Sequence, residues 1–466
     1  MRILLVQPDY VSGIGGFRMV AMPEPLHLEM LATMISEHDI QILDMRIDAN
    51  IEEVLNEFQP EMVAVTALTT EVAAAKDILK RVKNFSPKIF TVIGGHHVTL
   101  MPDDFYIDDV NAIAIGQGEQ MFAELVMAVQ NQSSLADVPS IIWQGENSDF
   151  IHNPLSNKKI DMDSLALPAR ELTEKYRQEY FFLFDKPDTS VCTSRGCPFK
   201  CNFCSVHEFY GGKISQMSAQ RVIQEILAVE TDHITFIDDN FLMNYKRENE
   251  IADLIKAQGI KKSYSMECRT DSIVKHPELV KKWVDIGLYA VLLGLEGAGD
   301  DTLASVNKSN SIDTNNRAIE ILQDNGVIIW GAFLVDPDWA QEDFKKLSDY
   351  VHQKKITHTQ YTVLTPLPGT ELYRQRHDEL LTHDYSCFDT LHSVLPTRLP
   401  REKFYQLFAE LYRQSDVMPY YDLVQAGKMT IADCRRGKQM LDAMASWESY
   451  VANDPILGVK TLPTMG

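Results

Sequence analysis

The sequence predicts an α/β protein in three parts: an N-terminal doubly wound, Rossmann-like parallel sheet, a partial (β/α)6 barrel of TIM type, and a C-terminal helical cap. Three observations carry this. Residues 1–135 alternate short apolar runs with amphipathic stretches, and residues 189–400 do so again. From Arg401 onward, through residue 466, the chain reads as helical, because Phe404, Leu407, Phe408 and Leu411 recur at the spacing of one helix face. Residues 136–188 read as a connector.

In the first segment the predicted strands are Arg2–Gln7, Asp39–Asp44, Met62–Thr66, Lys88–Ile93 and Ala112–Ile115, with an amphipathic helix over Glu71–Asn84. Alternating strands and helices make a parallel sheet, and ligands on such sheets bind beyond the carboxyl ends of the strands. The polar and glycine-rich turns fall there: Gln7-Pro8-Asp9, Thr66-Ala67-Leu68-Thr69-Thr70, Gly94-Gly95-His96-His97 and Gly116-Gln117-Gly118-Glu119. No G-x-G-x-x-G follows the first strand, so a dinucleotide site is not supported. In the connector, Val138–Trp143 and Asp149–His152 flank a turn over Gln144–Ser148, a hairpin signal, and Pro154, Pro168 and Pro187 punctuate the rest.

The barrel strands are predicted at Ser190–Thr193, His233–Ile237, Lys262–Cys268, Tyr289–Leu293, Ile328–Val335 and Gln360–Leu364. Polar motifs follow them, as the working face of such a barrel requires: Asp238-Asp239-Asn240, Glu267-Cys268-Arg269, Gly294-Leu295-Glu296-Gly297 and Thr365-Pro366-Leu367-Pro368-Gly369-Thr370. After the first strand comes CTSRGCPFKCNFCSVHEFYGG, in which Cys197, Cys201 and Cys204 form a C-x3-C-x2-C array. Three thiolates are one short of the usual four, and a cubane cluster held by three leaves one iron open to a small molecule. A zinc site with His207 as fourth ligand is the alternative reading. Asp238 and Asp239 read equally well as helix caps, as salt-bridge partners or as site residues.

At 466 residues, with 45% hydrophobic and 24% charged residues, the chain is of globular composition and long enough for two or three domains. No apolar run approaches the roughly 18 residues of a membrane span, and the N-terminus enters a strand pattern directly, so a cytoplasmic enzyme with no transmembrane segment is expected. A net charge of −22 argues against nucleic acid or an anionic membrane as main partner. Seven cysteines, three of them clustered, suit a reducing compartment, with Cys192, Cys268, Cys387 and Cys434 as isolated thiols.

The C-x3-C-x2-C array resembles the signature of the radical S-adenosylmethionine (SAM) enzymes, which implies a [4Fe-4S] cluster whose open iron chelates SAM and generates a 5′-deoxyadenosyl radical. By that resemblance Phe203 lies near the adenine, Arg269 meets the SAM carboxylate, and Glu296 accepts from its amino group or ribose. The first segment resembles a cobalamin-binding domain, through Thr66-x-Leu68 and, with 25 residues between, Gly94-Gly95. The implied cobalamin contacts are Thr66, Leu68, Thr69, Gly94, Gly95, Gly116, Gly118 and Glu119.

The family's D-x-H-x-x-G is missing, since none of Asp9, Asp39, Asp44 or Asp48 has a histidine two places on. This implies cobalamin bound base-off without a protein imidazole on cobalt; His96 and His97 are then turn residues, and His27 and His38 are the other local imidazoles.

Over nearly its whole length the chain resembles the cobalamin-dependent radical SAM enzymes. Asp336-Pro337-Asp338-Trp339, Thr365–Thr370 and His392–Pro400 look like the hopanoid C-3 methylase branch. The resemblance implies methyl transfer from methylcobalamin to an unactivated carbon of an apolar substrate, a lipid such as a hopanoid or a small molecule. A one-electron donor such as a flavodoxin or ferredoxin would drive it. A radical cyclase or ring-rearranging enzyme, or a non-catalytic corrinoid or zinc-binding protein, are the alternatives.

Overall fold

A computed structural model of the chain describes residues 1–9, 20–414, 424 and 430–457, apart from 146, 148, 159, 184, 357 and 455 and the side chains of 432–434, 436 and 440. The described residues fall into two compact units, the first within Met1–Val11, Glu24–Glu179 and Glu208–Gly211, the second within Ser12–Pro23, Tyr180–His207 and Gly212–Gly466.

Seven strands build the first unit: β1 (Arg2–Gln7), β2 (Asp39–Asp44), β3 (Met62–Thr66), β4 (Phe90–Gly94), β5 (Ala112–Ala114), β6 (Ile141–Gln144) and β7 (Phe150–His152), in the order β2-β1-β3-β4-β5-β6-β7. The first five are parallel, as expected of strands joined through helices. β4 starts two residues later than the sequence suggests, because Ile89 N–H closes a turn on Ser86 O at 3.2 Å. The hairpin read as connector is the antiparallel edge of this sheet: Ile142 pairs with Ile113, and Val138 and Ile141 join the core. Glu146 and Ser148 of its turn lie outside the described residues.

Strand order reverses between β1 and β3, so the turns after Gln7 and Thr66 flank the crevice where such sheets take ligands. The core beneath is Ile3, Leu5, Ile42, Met62, Ala64 and Val92 against helices contributing Leu28, Ala32, Leu125 and Val126.

The second unit holds six parallel strands in sequential order: β8 (Asp188–Val191), β9 (His233–Phe236), β10 (Ser263–Arg269), β11 (Leu288–Glu296), β12 (Ile328–Val335) and β13 (His358–Val363). The largest departure from expectation is β11, which runs on through Gly294-Leu295-Glu296 by way of a register shift against β12. Side chains alternate across these strands. Tyr264, Met266, Cys268, Val291, Leu293, Phe333 and Tyr361 point outward and are buried, whereas Ile237, Glu267, Leu292, Leu334, Gln360 and Thr362 on the inner face keep contact with water. The barrel lumen is therefore open toward the carboxyl ends of the strands. Trp330 closes it below, packed with Val20, Leu183 and Phe182, whose ring lies 5.4 Å from the indole.

Outside the sheet, the helix Pro277–Val284 sinks Trp283 among Phe236, Phe241 and Tyr264, with ring centroids at 5.7, 5.0 and 5.8 Å. Its indole N–H donates to Glu248 O at 3.2 Å. The C-terminal region is helical over Arg401–Arg413, Ile431–Met444 and Trp447–Asn453. Phe404, Phe408 and Leu411 are buried as the spacing predicted, and Arg401 ties the region together by gripping Asp454 and the Ser393 carbonyl at 2.6 Å.

Trp283 is fully buried, and its removal leaves a cavity lined by three rings. Trp283→Ala should lower the stability of the second unit by about 3–5 kcal/mol, read as a shift of its urea unfolding midpoint.

Candidate active site

The cysteine loop leaves β8 and is fastened at its first turn by two acids that follow β9. Asp238 accepts from Thr193 N–H at 3.0 Å and Thr193 Oγ1 at 2.7 Å, and also from Ser194 Oγ. Asp239 accepts from Gly196 N–H at 2.7 Å. Burial raises the pKa of both acids, and their donors oppose it. Arg247 adds a third tie, donating to Thr193 O at 2.9 Å and to Met217 O at 2.7 Å.

The far side of the loop is stitched to segments beyond β11 and β13. Asn202 donates from its backbone to Val306 O at 3.2 Å and from Nδ2 to Ser305 O at 3.0 Å, while Asn307 Nδ2 donates to Lys200 O at 2.6 Å. Leu372 N–H reaches Asn202 O at 2.8 Å, one residue inside a helix capped by Thr370 of the Thr365–Thr370 motif. Phe203 packs against Val306, Leu364 and Leu372 with Leu334.

Cys197, Cys201 and Cys204 are each partly accessible and within electrostatic reach of one another. Burial raises all three thiols, Cys204 to about 12, so metal binding would have to displace their protons. A single tetrahedral ion would draw its sulfur ligands to within roughly 3.8 Å of one another, from a bond length of about 2.3 Å. No group of three His, Cys, Asp or Glu among the described residues is gathered that tightly. The His207 ring lies over Gly212, where an added Cβ would sit 2.5 Å from its Cε1. Three thiols on one loop fit a cubane cluster that leaves one corner open.

Arg269 lies beside them. Its Nη1 is 4.0 Å from Cys201 Sγ, its guanidinium stacks 3.6 Å over Phe199, and Asp271 (2.9 Å) and Lys308 O (3.0 Å) fix its other nitrogens. Glu296 is buried and adopts a left-handed φ of 61°, an uncommon conformation for a side chain of its size. Its Oε1 accepts from Lys308 Nζ at 2.5 Å. Burial works against the charge on Lys308, but Glu296 outweighs it and the ammonium pKa is raised. Lys308 was invisible in the sequence: it lies in the polar run Asn307-Lys308-Ser309-Asn310, which has no periodicity.

In the first unit the predicted contacts gather at the carboxyl ends of the strands. Gly95, at φ 113°, approaches β3 so closely that a Cβ would lie 2.7 Å from Thr66 Oγ1 and 2.8 Å from Ala67 N. The protein's own backbone thus requires that glycine. Gly116, at φ 81°, has nothing within 4 Å of its Cβ position, and Leu68 is 54% exposed, so both face open space. Glu71 holds the Leu68 turn, accepting from Leu68 N–H at 2.8 Å and Gln7 Nε2 at 2.9 Å.

His96 and His97 begin a short helix, His96–Leu100. His97 is buried between Thr69 Oγ1 at 3.1 Å and Asp104 Oδ2 at 3.0 Å, both ring nitrogens engaged. His96 stacks on Phe209 at 4.7 Å, and burial lowers it to about 4. His27 is reached by water yet neutral, lowered to about 4 by desolvation and then by Arg46.

The motifs that suggested a branch serve as brackets. Pro337 O accepts from Arg398 N–H at 2.9 Å, joining Asp336–Trp339 to His392–Pro400, and Trp339 packs edge-on against Phe344 at 5.3 Å. Cys192, Cys268 and Cys387 are free, and Cys434 lies outside the described side chains. No helix among the described residues is long and apolar enough to cross a membrane.

A family model for the B12 binding domain matches residues 21–126, and one for the radical SAM superfamily matches residues 191–351. The hopanoid C-3 methylase of Methylococcus capsulatus is 30% identical over 407 residues, covering 85% of this chain and 76% of that one. The anaerobic magnesium-protoporphyrin IX monomethyl ester cyclase of Rubrivivax gelatinosus is 25% identical over 437 residues, covering 89% and 77%. Among solved structures, the radical SAM methyltransferase TsrM from Kitasatospora setae, with cobalamin and a [4Fe-4S] cluster bound, shares the fold at a TM-score of 0.67 and 16% identity over 89% of each chain. A [4Fe-4S] cluster, SAM and cobalamin are therefore its cofactors, and the chain belongs to the cobalamin-dependent radical SAM methyltransferase family.

Proposed function

We propose that the enzyme methylates an unactivated carbon of an apolar substrate, a lipid or a small molecule, held in the barrel lumen. The observation that carries this is the open lumen, walled by Ile237, Leu292, Leu334 and Trp330, into which the loop of Cys197, Cys201 and Cys204 faces through Arg269. When bound, the cluster and SAM supply a hydrogen-abstracting 5′-deoxyadenosyl radical, and cobalamin supplies the methyl group.

The chain's own residues position and shield. Cys197, Cys201 and Cys204 hold the cluster, Arg269 meets the SAM carboxylate, the Glu296–Lys308 pair receives its amino group or ribose, and Phe203 with its apolar neighbours takes the adenine. Asp238 and Asp239 keep the loop in shape. Thr66, Leu68, Thr69, Gly94, Gly95, Gly116, Gly118 and Glu119 would line a base-off cobalamin, to whose cobalt the chain would offer no imidazole. A flavodoxin or ferredoxin of the cytoplasm supplies the electron.

The cyclase relative favours one second reading, cyclisation or ring rearrangement without methyl transfer. Anaerobically reconstituted enzyme given SAM deuterated in its methyl group and extract of cells lacking it separates the two. A product heavier by a labelled methyl supports methylation; a modified product without label supports the cyclase.

Four variants check the cofactor assignments. Cys197→Ala, Cys201→Ala or Cys204→Ala should each abolish iron loading and 5′-deoxyadenosine formation, and a variant that keeps both is not missing a ligand. Leu68→Glu, at an exposed position, should lower cobalamin content severalfold and leave iron content unchanged. Electron paramagnetic resonance of the cob(II)alamin form should show no splitting from an axial nitrogen, and such splitting would point to His27 or His96.

A further inference from the structure

Inside the barrel, one charged side chain has no partner among the described residues. Glu267 lies on β10, two residues below Arg269, which places it about 7 Å deeper along the strand. Register sets its neighbours: Leu292 on β11 is directly opposite, and Trp330 on β12 and His358 on β13 continue the same row. On the other side Ile237 leaves β9 with 43% of its surface exposed. The row is thus Ile237, Glu267, Leu292, Trp330 and His358, with Glu267 its one acid set between two apolar residues.

Glu267 is reached by water and yet walled about by protein, the position of a side chain lining a cavity. No hydrogen bond or ion pair from the described residues engages its carboxylate. Every other acid near it is committed: Asp238 and Asp239 to the cysteine loop, Glu296 to Lys308, and Asp188 to Thr235 Oγ1 at 3.1 Å. Burial raises Glu267 to about 7, with Asp239 and Glu296 adding to the rise and Lys308 opposing it. Water solvates this carboxylate while the lumen is open, but an apolar molecule seated there would strip that water, and a carboxyl group so covered is destabilising unless something donates to it.

We propose that Glu267 is a substrate-positioning residue, which accepts a hydrogen bond or ion pair from a hydroxyl or ammonium group on an otherwise apolar substrate. With SAM held beside Arg269, as proposed above, Glu267 would lie beneath it on the same strand face, where a substrate seated in the lumen would meet the carboxylate. A molecule with only hydrocarbon in the lumen would leave the acid unpaired, so the substrate class is narrowed to amphiphiles carrying a donor a few bonds from the reacting carbon. The inference takes from the proposed function only the lumen as the substrate's seat, and holds for methylation or cyclisation alike.

The test uses full-length reconstituted holoenzyme and, as probe, a fractionated extract of anaerobically grown cells lacking the gene. The readouts are 5′-deoxyadenosine formed without extract, its stimulation by extract, and the mass of the compound consumed. In Glu267→Gln the unstimulated rate and the KM for SAM should stay within about twofold of wild type, while the half-saturating amount of extract rises about tenfold or more. Glu267→Asp should recover part of the loss.

Unchanged extract dependence in Glu267→Gln would overturn the proposal. So would loss of unstimulated cleavage, which would make Glu267 a SAM contact, or a consumed compound with no hydroxyl or amine. A wild-type enzyme indifferent to every fraction would overturn it too. A product that is altered but not methylated would leave Glu267 in place and remove the methyl-transfer reading instead.

Discussion

The site depends on the fastening of a loop that has almost no regular structure of its own. Between β8 and the helix Val206–Tyr210 the chain has only a two-residue ribbon, Ser194–Arg195 with Ser215–Gln216, to keep three cysteines in place. Asp238 and Asp239 make up the deficit. They are acids on the adjacent strand end, Asp238 buried and Asp239 half-buried, and their oxygens take the backbone and hydroxyl donors of Thr193, Ser194 and Gly196. Hydrogen bonds to a charged acceptor contribute about 1.5–3 kcal/mol each. That exceeds the conformational entropy of one ordered residue, about 1–2 kcal/mol, so a few such bonds can hold a short loop in one shape. Parallel register makes the arrangement possible: β8 and β9 are neighbours, so the loops leaving their carboxyl ends start side by side.

The cysteine spacing, both strand-helix alternations and the C-terminal helical face were legible because each is a local pattern, written in consecutive residues. The edge hairpin of the first sheet was legible as a hairpin but not as part of that sheet, since its partner β5 is set by tertiary packing of Ile141 and Ile142. Glu296 was legible from its Gly-rich turn, whereas its partner Lys308 was not, because twelve residues and a helix separate them. Asp238 and Asp239 drew attention by position, but their acceptor role needs the loop beside them. Gly95 was read as making room for a ligand; the close approach of Thr66 and Ala67 gives the fold its own reason for it.

Glu267 illustrates how a pleat turns sequence into a site. Cys268 beside it points outward into the core and is inert, raised above the ordinary thiol range by burial, while Glu267 and Arg269 face the lumen. One strand thus supplies a packing face and a reactive face, and charge at alternate positions separates the level of the cluster from the level of the apolar wall. On the proposed reading, such a division would let the upper row organise SAM while the lower row selects what reacts.

The chemistry proposed for both rows requires a cluster with one open iron held by Cys197, Cys201 and Cys204. Mössbauer spectroscopy of protein reconstituted with iron-57, before and after SAM, measures it directly. Four iron sites are expected, one of which changes its isomer shift when SAM is added while the other three do not; four irons indifferent to SAM, or a protein that loads zinc in place of iron, would contradict it.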